Sequence, residues 1–138
     1  VTGVQTCALP ICRDADFIMI DLHGEATSEK MAVGHCADGR ASLVVGTHTH
    51  VPTADHQILA GGTAFQTDAG MCGDYDSVIG MDKQAATARF TGEAAPRLSV
   101  AVGEPTLCGL LVESNDKGHA VSVEPLRRGG RLSAATPG

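Results

Sequence analysis

Aromatic residues are scarce: the 138 residues include no tryptophan, one tyrosine and three phenylalanines. A stacking platform for single-stranded nucleic acid needs several such rings, so that class is excluded. Positive charge is short as well. Ten Lys and Arg stand against sixteen Asp and Glu, a net charge of -6, which repels a nucleic-acid polymer. A small phosphorylated ligand stays open, because a bound metal ion supplies positive charge locally. No apolar run has the length of a transmembrane helix, and no basic segment followed by a signal-peptide core begins the chain, so no membrane partner is expected. The five cysteines are odd in number and contain no C-x-x-C pair. They argue against a disulfide framework or a cysteine zinc site and fit reduced thiols in a cytoplasm.

What is present is a globular composition, 43% hydrophobic and 19% charged, of a length that suits one small domain or part of a larger one. There is no internal repeat and no linker dividing it. Val1 to Ile11 resembles the translated product of a sequencing-adapter oligonucleotide. On that resemblance residues 1–12 are a processing scar, and native sequence begins near Cys12 or Arg13.

Phe17-Ile18-Met19-Ile20 is a short apolar run that predicts a strand buried on both faces. A helix capped by Thr27 or Ser28 is expected to run to about Asp38 and stop at Gly39. Ser42 to Gly46 predicts a second buried strand. The strand-helix-strand order implies a parallel pair with a right-handed crossover. Gln57-Ile58-Leu59 and Ala64 to Thr67 flank Gly61-Gly62 as a hairpin. An ordered glycine-rich loop follows from Asp68 to Gly80, then a modest helix from Met81 to Phe90. Strands are expected at Leu98 to Val102, Leu107 to Val112 and Ala120 to Glu124, the last two joined by a turn at Asn115-Asp116-Lys117-Gly118. Residues 13–127 then form the domain portion, and 128–138 a loose tail.

Ligands in open α/β sheets collect at the carboxyl ends of strands. Asp21-Leu22-His23-Gly24-Glu25 and Gly46-Thr47-His48-Thr49-His50 fall there. Imidazole suits borderline metals. His48 and His50 at i and i+2, with His23 from the neighbouring strand end, make a partial ligand set. The alternative is that they are surface or hydrogen-bonded loop residues, since an isolated H-x-H is weak evidence. Asp21 and Asp68 are candidates to orient a histidine from behind, or else have simple turn and cap roles. His35, His56 and His119 lack such company.

Asp21 to Lys30, with its Ala26-Thr27-Ser28-Glu29-Lys30 block, resembles a segment of the YmdB-type bacterial metallophosphoesterases. So does Gly46-Thr47-His48-Thr49-His50-Val51-Pro52-Thr53-Ala54-Asp55, and two further blocks fall at Thr67 to Met71 and Tyr75 to Asp82. The similarity runs from about Asp16 to about Arg127. Gly24, His35-Cys36, Cys72 and Asp74 depart from the pattern, none of them at a presumed ligand. The resemblance implies the C-terminal part of an α/β/β/α sandwich with mixed sheets. It also implies two metal ions, manganese or iron, with His23 and His48 on one and His50 on the other. The implied activity is a phosphodiesterase hydrolysing cyclic nucleotides, 2′,3′-cyclic or 3′,5′-cyclic monophosphates. The family's N-terminal half, with its general-acid histidine, has no counterpart in these residues, so the chain by itself is expected to be inactive and marginally stable. The alternatives are a related protein of capsule or polyglutamate synthesis and a non-catalytic metal-binding module. Whether the chain forms a homo-oligomer is left open.

Overall fold

The computed structural model describes residues 15–138; the adapter-like segment lies outside the described residues. Among the described residues nine elements follow in order. They are β1 (Met19–His23), α1 (Thr27–Ala37), β2 (Leu43–Thr47), β3 (Gln57–Ile58), β4 (Ala64–Gln66), β5 (Gly73–Asp74), α2 (Lys83–Thr91), β6 (Pro105–Ser114) and β7 (Ala120–Arg128). The first four strands form a sheet of order β1-β2-β4-β3, and the last three a sheet of order β5-β6-β7.

β1 and β2 pair in parallel, with Met19 opposite Leu43 and His23 opposite Thr47. β2 also pairs in parallel with β4, and β3 closes the sheet antiparallel to β4. The Gly61-Gly62 hairpin is therefore as expected. Period-two alternation decides what each face of the sheet packs against. Val44 and Phe65 point to α1, joined there by Ala37 and Leu59. Leu43, Val45 and Ala64 point the other way, against Ala120, Leu110 and Val123 of the second sheet. The result is an α/β fold in layers of helix, mixed sheet and antiparallel sheet. Gly34 of α1 lets the helix settle on the sheet, since a Cβ there would stand 2.6 Å from the Phe65 ring.

Four expectations need correction. β1 is half-exposed rather than buried on both faces, with Met19 60% exposed. It lies at the edge of its sheet, and no described strand covers its outer side. α1 starts one residue earlier than a Thr27 cap requires: Ala26 is the N-cap and has no side-chain bond to give. Leu98 to Val102 is not a strand. Among the described residues only Val100 of this stretch makes a bridge, to Met81, and Val102 is 96% exposed. The tail is tied back: Arg127 and Ala135 exchange two backbone hydrogen bonds, Arg127 Nε donates to the Ser133 carbonyl, the Gly138 amide donates to Glu124 Oε2, and Arg131 pairs with Asp76. The helix expected over Met81 to Phe90 runs from Lys83 to Thr91. Asp82 caps α2 by accepting from the amides of Gln84 and Ala85. β6 and β7 meet across a turn in which Gly118 has φ +76°.

Candidate metal centre

The parallel pairing of β1 with β2 brings both strands' carboxyl ends to one place, with His23 beside Thr47 in register. His48 follows directly. Its Nδ1 lies 3.1 Å from His23 Nε2, and the rings stand edge to face with centroids 4.8 Å apart.

Hydrogen-bond partners constrain which nitrogens are free, taking both rings as neutral. The Thr47 hydroxyl donates to Asp21 Oδ1 at 3.0 Å and sits 3.1 Å from His23 Nδ1. Having spent its proton on Asp21, it can only accept from His23, so the His23 proton is on Nδ1 and Nε2 carries the lone pair. On the far side of His48, Nε2 lies 3.1 Å from a Glu25 carboxylate oxygen. A carboxylate accepts, so Nε2 carries the His48 proton and Nδ1 presents its lone pair toward His23. With both rings neutral, two lone pairs face each other 3.1 Å apart; a metal ion between them satisfies both, as does a proton on His48 Nδ1, which would make His48 an imidazolium paired with Glu25. Metal–imidazole bonds run about 2.0–2.1 Å, so one ion can reach both nitrogens. The donor set therefore fits a borderline metal held by His23 and His48.

His50 is held apart from the pair. Its Nδ1 donates to the carbonyl of Ile79 at 2.9 Å, which leaves Nε2 free as an acceptor. Among the described residues no three His, Cys, Asp or Glu side chains converge to hold an ion by themselves. The structure thus brings together two of the three histidines named from sequence.

The loop carrying them is strained. His48 has φ 115° and His50 φ 66°, values that side chains seldom adopt and that cost about 1–3 kcal/mol each. Such strain persists where surroundings over-determine it, and here they do. Tyr75 donates from its hydroxyl to the His50 carbonyl at 3.1 Å. Burial, and then the neighbouring Cys108, push the Tyr75 hydroxyl well above its usual range, so it stays a neutral donor. Asp68 accepts from the Thr49 and Gly70 amides, each at 2.9 Å, and pairs with Lys30 at 3.0 Å. Burial raises the Asp68 carboxyl, but those amide bonds and Lys30 outweigh it and hold the group below the usual carboxylate range. Gly46 is required because a Cβ there would lie 1.7 Å from the Thr67 carbonyl oxygen.

The two aspartates named from sequence act at one remove. Asp21 reaches His23 through Thr47, and Asp68 holds the loop backbone rather than an imidazole. Sequence reasoning missed Thr47, Glu25 and Lys30. The only signal for Lys30 was its place in the Ala26-to-Lys30 block. A cavity of about 280 Å³, lined by Ile18, Ser42 and His119 among others, belongs to the opposite ends of β1 and β2, away from His23 and His48.

Comparison with known proteins identifies the family and the fold. The family model for YmdB-like protein matches residues 4–126. The chain is 51% identical over 109 residues to a 2′,3′-cyclic-nucleotide 2′-phosphodiesterase of Bacillus subtilis, covering 78% of this chain and 41% of that one. It is 39% identical over 102 residues to a putative phosphatase/phosphodiesterase of Mycoplasma pneumoniae, covering 73% and 36%. Among solved structures, a novel phosphatase from Mycoplasma pneumoniae superposes with a TM-score of 0.82 at 34% identity, covering 91% and 45%. A hypothetical protein from Thermus thermophilus superposes with a TM-score of 0.73 at 41% identity, covering 88% and 49%. The chain spans less than half the length of each of these relatives. With the family model matched across nearly all of it, the chain belongs to the YmdB-like family.

Proposed function

We propose that this chain supplies one side of the active site of a metal-dependent phosphodiesterase that hydrolyses cyclic nucleotides. The observation that carries the reading is the facing pair of imidazole nitrogens, His23 Nε2 and His48 Nδ1, at the carboxyl ends of two adjacent parallel strands. The name of the Bacillus subtilis relative supports 2′,3′-cyclic nucleotides as substrate, and 3′,5′-cyclic monophosphates are the second class proposed. His23 and His48 would hold one ion and His50, through Nε2, a second. Manganese or iron suits a site mixing imidazole with oxygen donors. When bound, such ions supply positive charge to a phosphoryl group under attack by water. The chain's own residues do the rest. Asp21 and Thr47 fix the His23 tautomer, Glu25 that of His48 and the Ile79 carbonyl that of His50.

Two imidazoles at one point are too few donors for two ions, so the 138-residue chain by itself is expected to turn over little substrate. The test is an assay on bis-p-nitrophenyl phosphate with Mn²⁺, beside a Mn²⁺ titration. The expected result is metal binding lost in His48→Ala, with negligible hydrolysis. Binding unaffected by His48→Ala would overturn the site. Strong turnover dependent on His48 would overturn the shortage of donors.

A further inference from the structure

We propose that Lys30 and Asp68 form a buried clamp that grips the backbone on both sides of His48 and so positions it opposite His23 for metal. The inference rests on the metal reading above, but the clamp itself can be tested without metal.

Lys30 and Asp68 are each 1% exposed, and they come from a helix and a loop 38 residues apart. A buried ion pair is a poor way to add stability, because desolvation offsets the attraction and well-packed apolar residues often do better. Its hydrogen bonds suggest a different use. Lys30 Nζ donates to the Thr47 carbonyl at 2.8 Å and to Asp68 Oδ2 at 3.0 Å. The same Oδ2 accepts from the Thr49 amide at 2.9 Å, and Oδ1 accepts from Gly70. The Thr47 carbonyl and the Thr49 amide belong to the two peptide groups that flank His48. Both end on one ion pair.

His48 is the residue whose φ of 115° needs holding. Released at either peptide, it can relax toward an ordinary conformation and carry its ring away from His23. The sequence makes room for the device: a Cβ on Gly46 would lie 2.8 Å from Lys30 Cδ, so glycine lets the lysine stem pass beneath the loop. Neither Lys30 nor Asp68 bonds to an imidazole, so both are positioning residues.

The experiment uses the 138-residue chain with Lys30→Met, the milder Asp68→Asn, and Val44→Ala as a core control of comparable thermal destabilisation. Two readouts are taken by NMR. The first is hydrogen exchange of the Thr49 amide in metal-free protein. The second is Mn²⁺-induced broadening of the His23 and His48 imidazole resonances. The clamp predicts Thr49 exchange at least about tenfold faster in Lys30→Met, and Mn²⁺ affinity at least about tenfold weaker, the scale of losing an outer support of a metal site. Asp68→Asn should move both in the same direction, and Val44→Ala should move neither beyond its effect on global stability. Equal effects in Val44→Ala, or an unchanged Thr49 amide in both clamp variants, would overturn the clamp. If Mn²⁺ broadens neither histidine in the parent chain, the metal reading falls, and the clamp is decided by the Thr49 amide. Should Lys30→Met not fold, the same criteria apply to Asp68→Asn.

Discussion

The Thr47 hydroxyl stands between Asp21 and His23, donating to the first at 3.0 Å and lying 3.1 Å from Nδ1 of the second. It converts a distant carboxylate into a tautomer-setting contact. Thr47→Val removes the hydroxyl at nearly constant volume, so His23 loses the partner that keeps its proton on Nδ1. The expected outcome is a loss of about 10–100-fold in Mn²⁺ affinity with little change in melting temperature. Thr47→Ser, which keeps the oxygen, should retain most of the affinity. Titration calorimetry checks both, and equal affinities for Val and Ser would remove Thr47 from the site.

Gly46 makes the opposite kind of demand. A methyl group there meets the Thr67 carbonyl oxygen at 1.7 Å, and that oxygen belongs to backbone just beyond β4. That wall is backbone and cannot swing aside as a side chain would. Gly46→Ala is therefore expected to destabilise by about 3 kcal/mol or more, the range reserved for severe packing errors. Urea unfolding of the variant beside the parent measures it. A loss below about 1 kcal/mol, within the ordinary spread of point mutations, would show that β2 and the β4 loop can separate there.

The strand that carries these two residues also shows where reading the sequence succeeds. The continuous buried run Leu43, Val44 and Val45, the glycine hairpin and the Asn115 turn are local signals, and each appears where the pattern puts it. The pairing of β1 with β2 then delivers His23 to His48, so a topological rule made that contact legible. The remainder depends on atoms far apart in sequence or on backbone groups with no side-chain signature. Lys30 looks like a solvated helix lysine until Asp68, 38 residues on, is placed beside it. The partner of His50 is a carbonyl, which any residue could provide. Leu98 to Val102 has the composition of a strand but no neighbour to pair with beyond Val100.

Acid should weaken the fold through Asp55 and Asp68. Burial works to raise the Asp55 carboxyl, but hydrogen bonds from Thr53 and Thr67 outweigh it and leave the group below its usual range. Asp68 is lowered for the reasons given above. A carboxyl whose folded value lies below its unfolded value, about 3.9 for Asp, stabilises the folded state fully above that unfolded value. That contribution is lost as pH falls through the folded value. The stability curve is therefore expected to be flat with respect to these groups near neutrality and to drop below about pH 4. Asp55→Asn should lower stability at neutral pH and reduce the drop in acid. Denaturant melts from neutral to acid pH decide it, and an unchanged acid slope in the variant would discount Asp55.

The outer edge of β1 predicts association. No described strand covers it, and Phe17 and Met19 are exposed by 42% and 60% beside it. An open edge with apolar neighbours invites another strand, and a charge placed there opposes it. The 138-residue chain should self-associate as concentration rises, and Met19→Lys should reduce this without changing the secondary structure. Sedimentation velocity reads the outcome directly. A parent chain that stays monomeric across the range would mean the edge is already protected.

The most demanding prediction concerns catalysis in a longer frame. The Bacillus subtilis relative shares 51% identity with this chain but extends well beyond the match, which spans 41% of it. If residues 15–126 carry a competent half-site, grafting them in place of the matching segment of that relative should preserve hydrolysis of 2′,3′-cyclic nucleotides. In the chimera, His48→Ala should reduce turnover by more than about 100-fold, beyond the loss of an outer support alone. His35→Ala, exposed on α1, should leave turnover unchanged. Thr47→Val should fall between them, because it disturbs His23 without deleting a donor. A folded chimera that turns over equally well with and without His48 would place the chemistry elsewhere. One that is inactive even with His48 intact would mean that the departures at Gly24 and Cys72 matter to the reaction. Asp74 already points to a structural use, since its carboxylate accepts from the amides of Asp76 and Gly103 at 2.7 and 3.0 Å. Restoring the family residue there would then be expected to cost loop order rather than return activity.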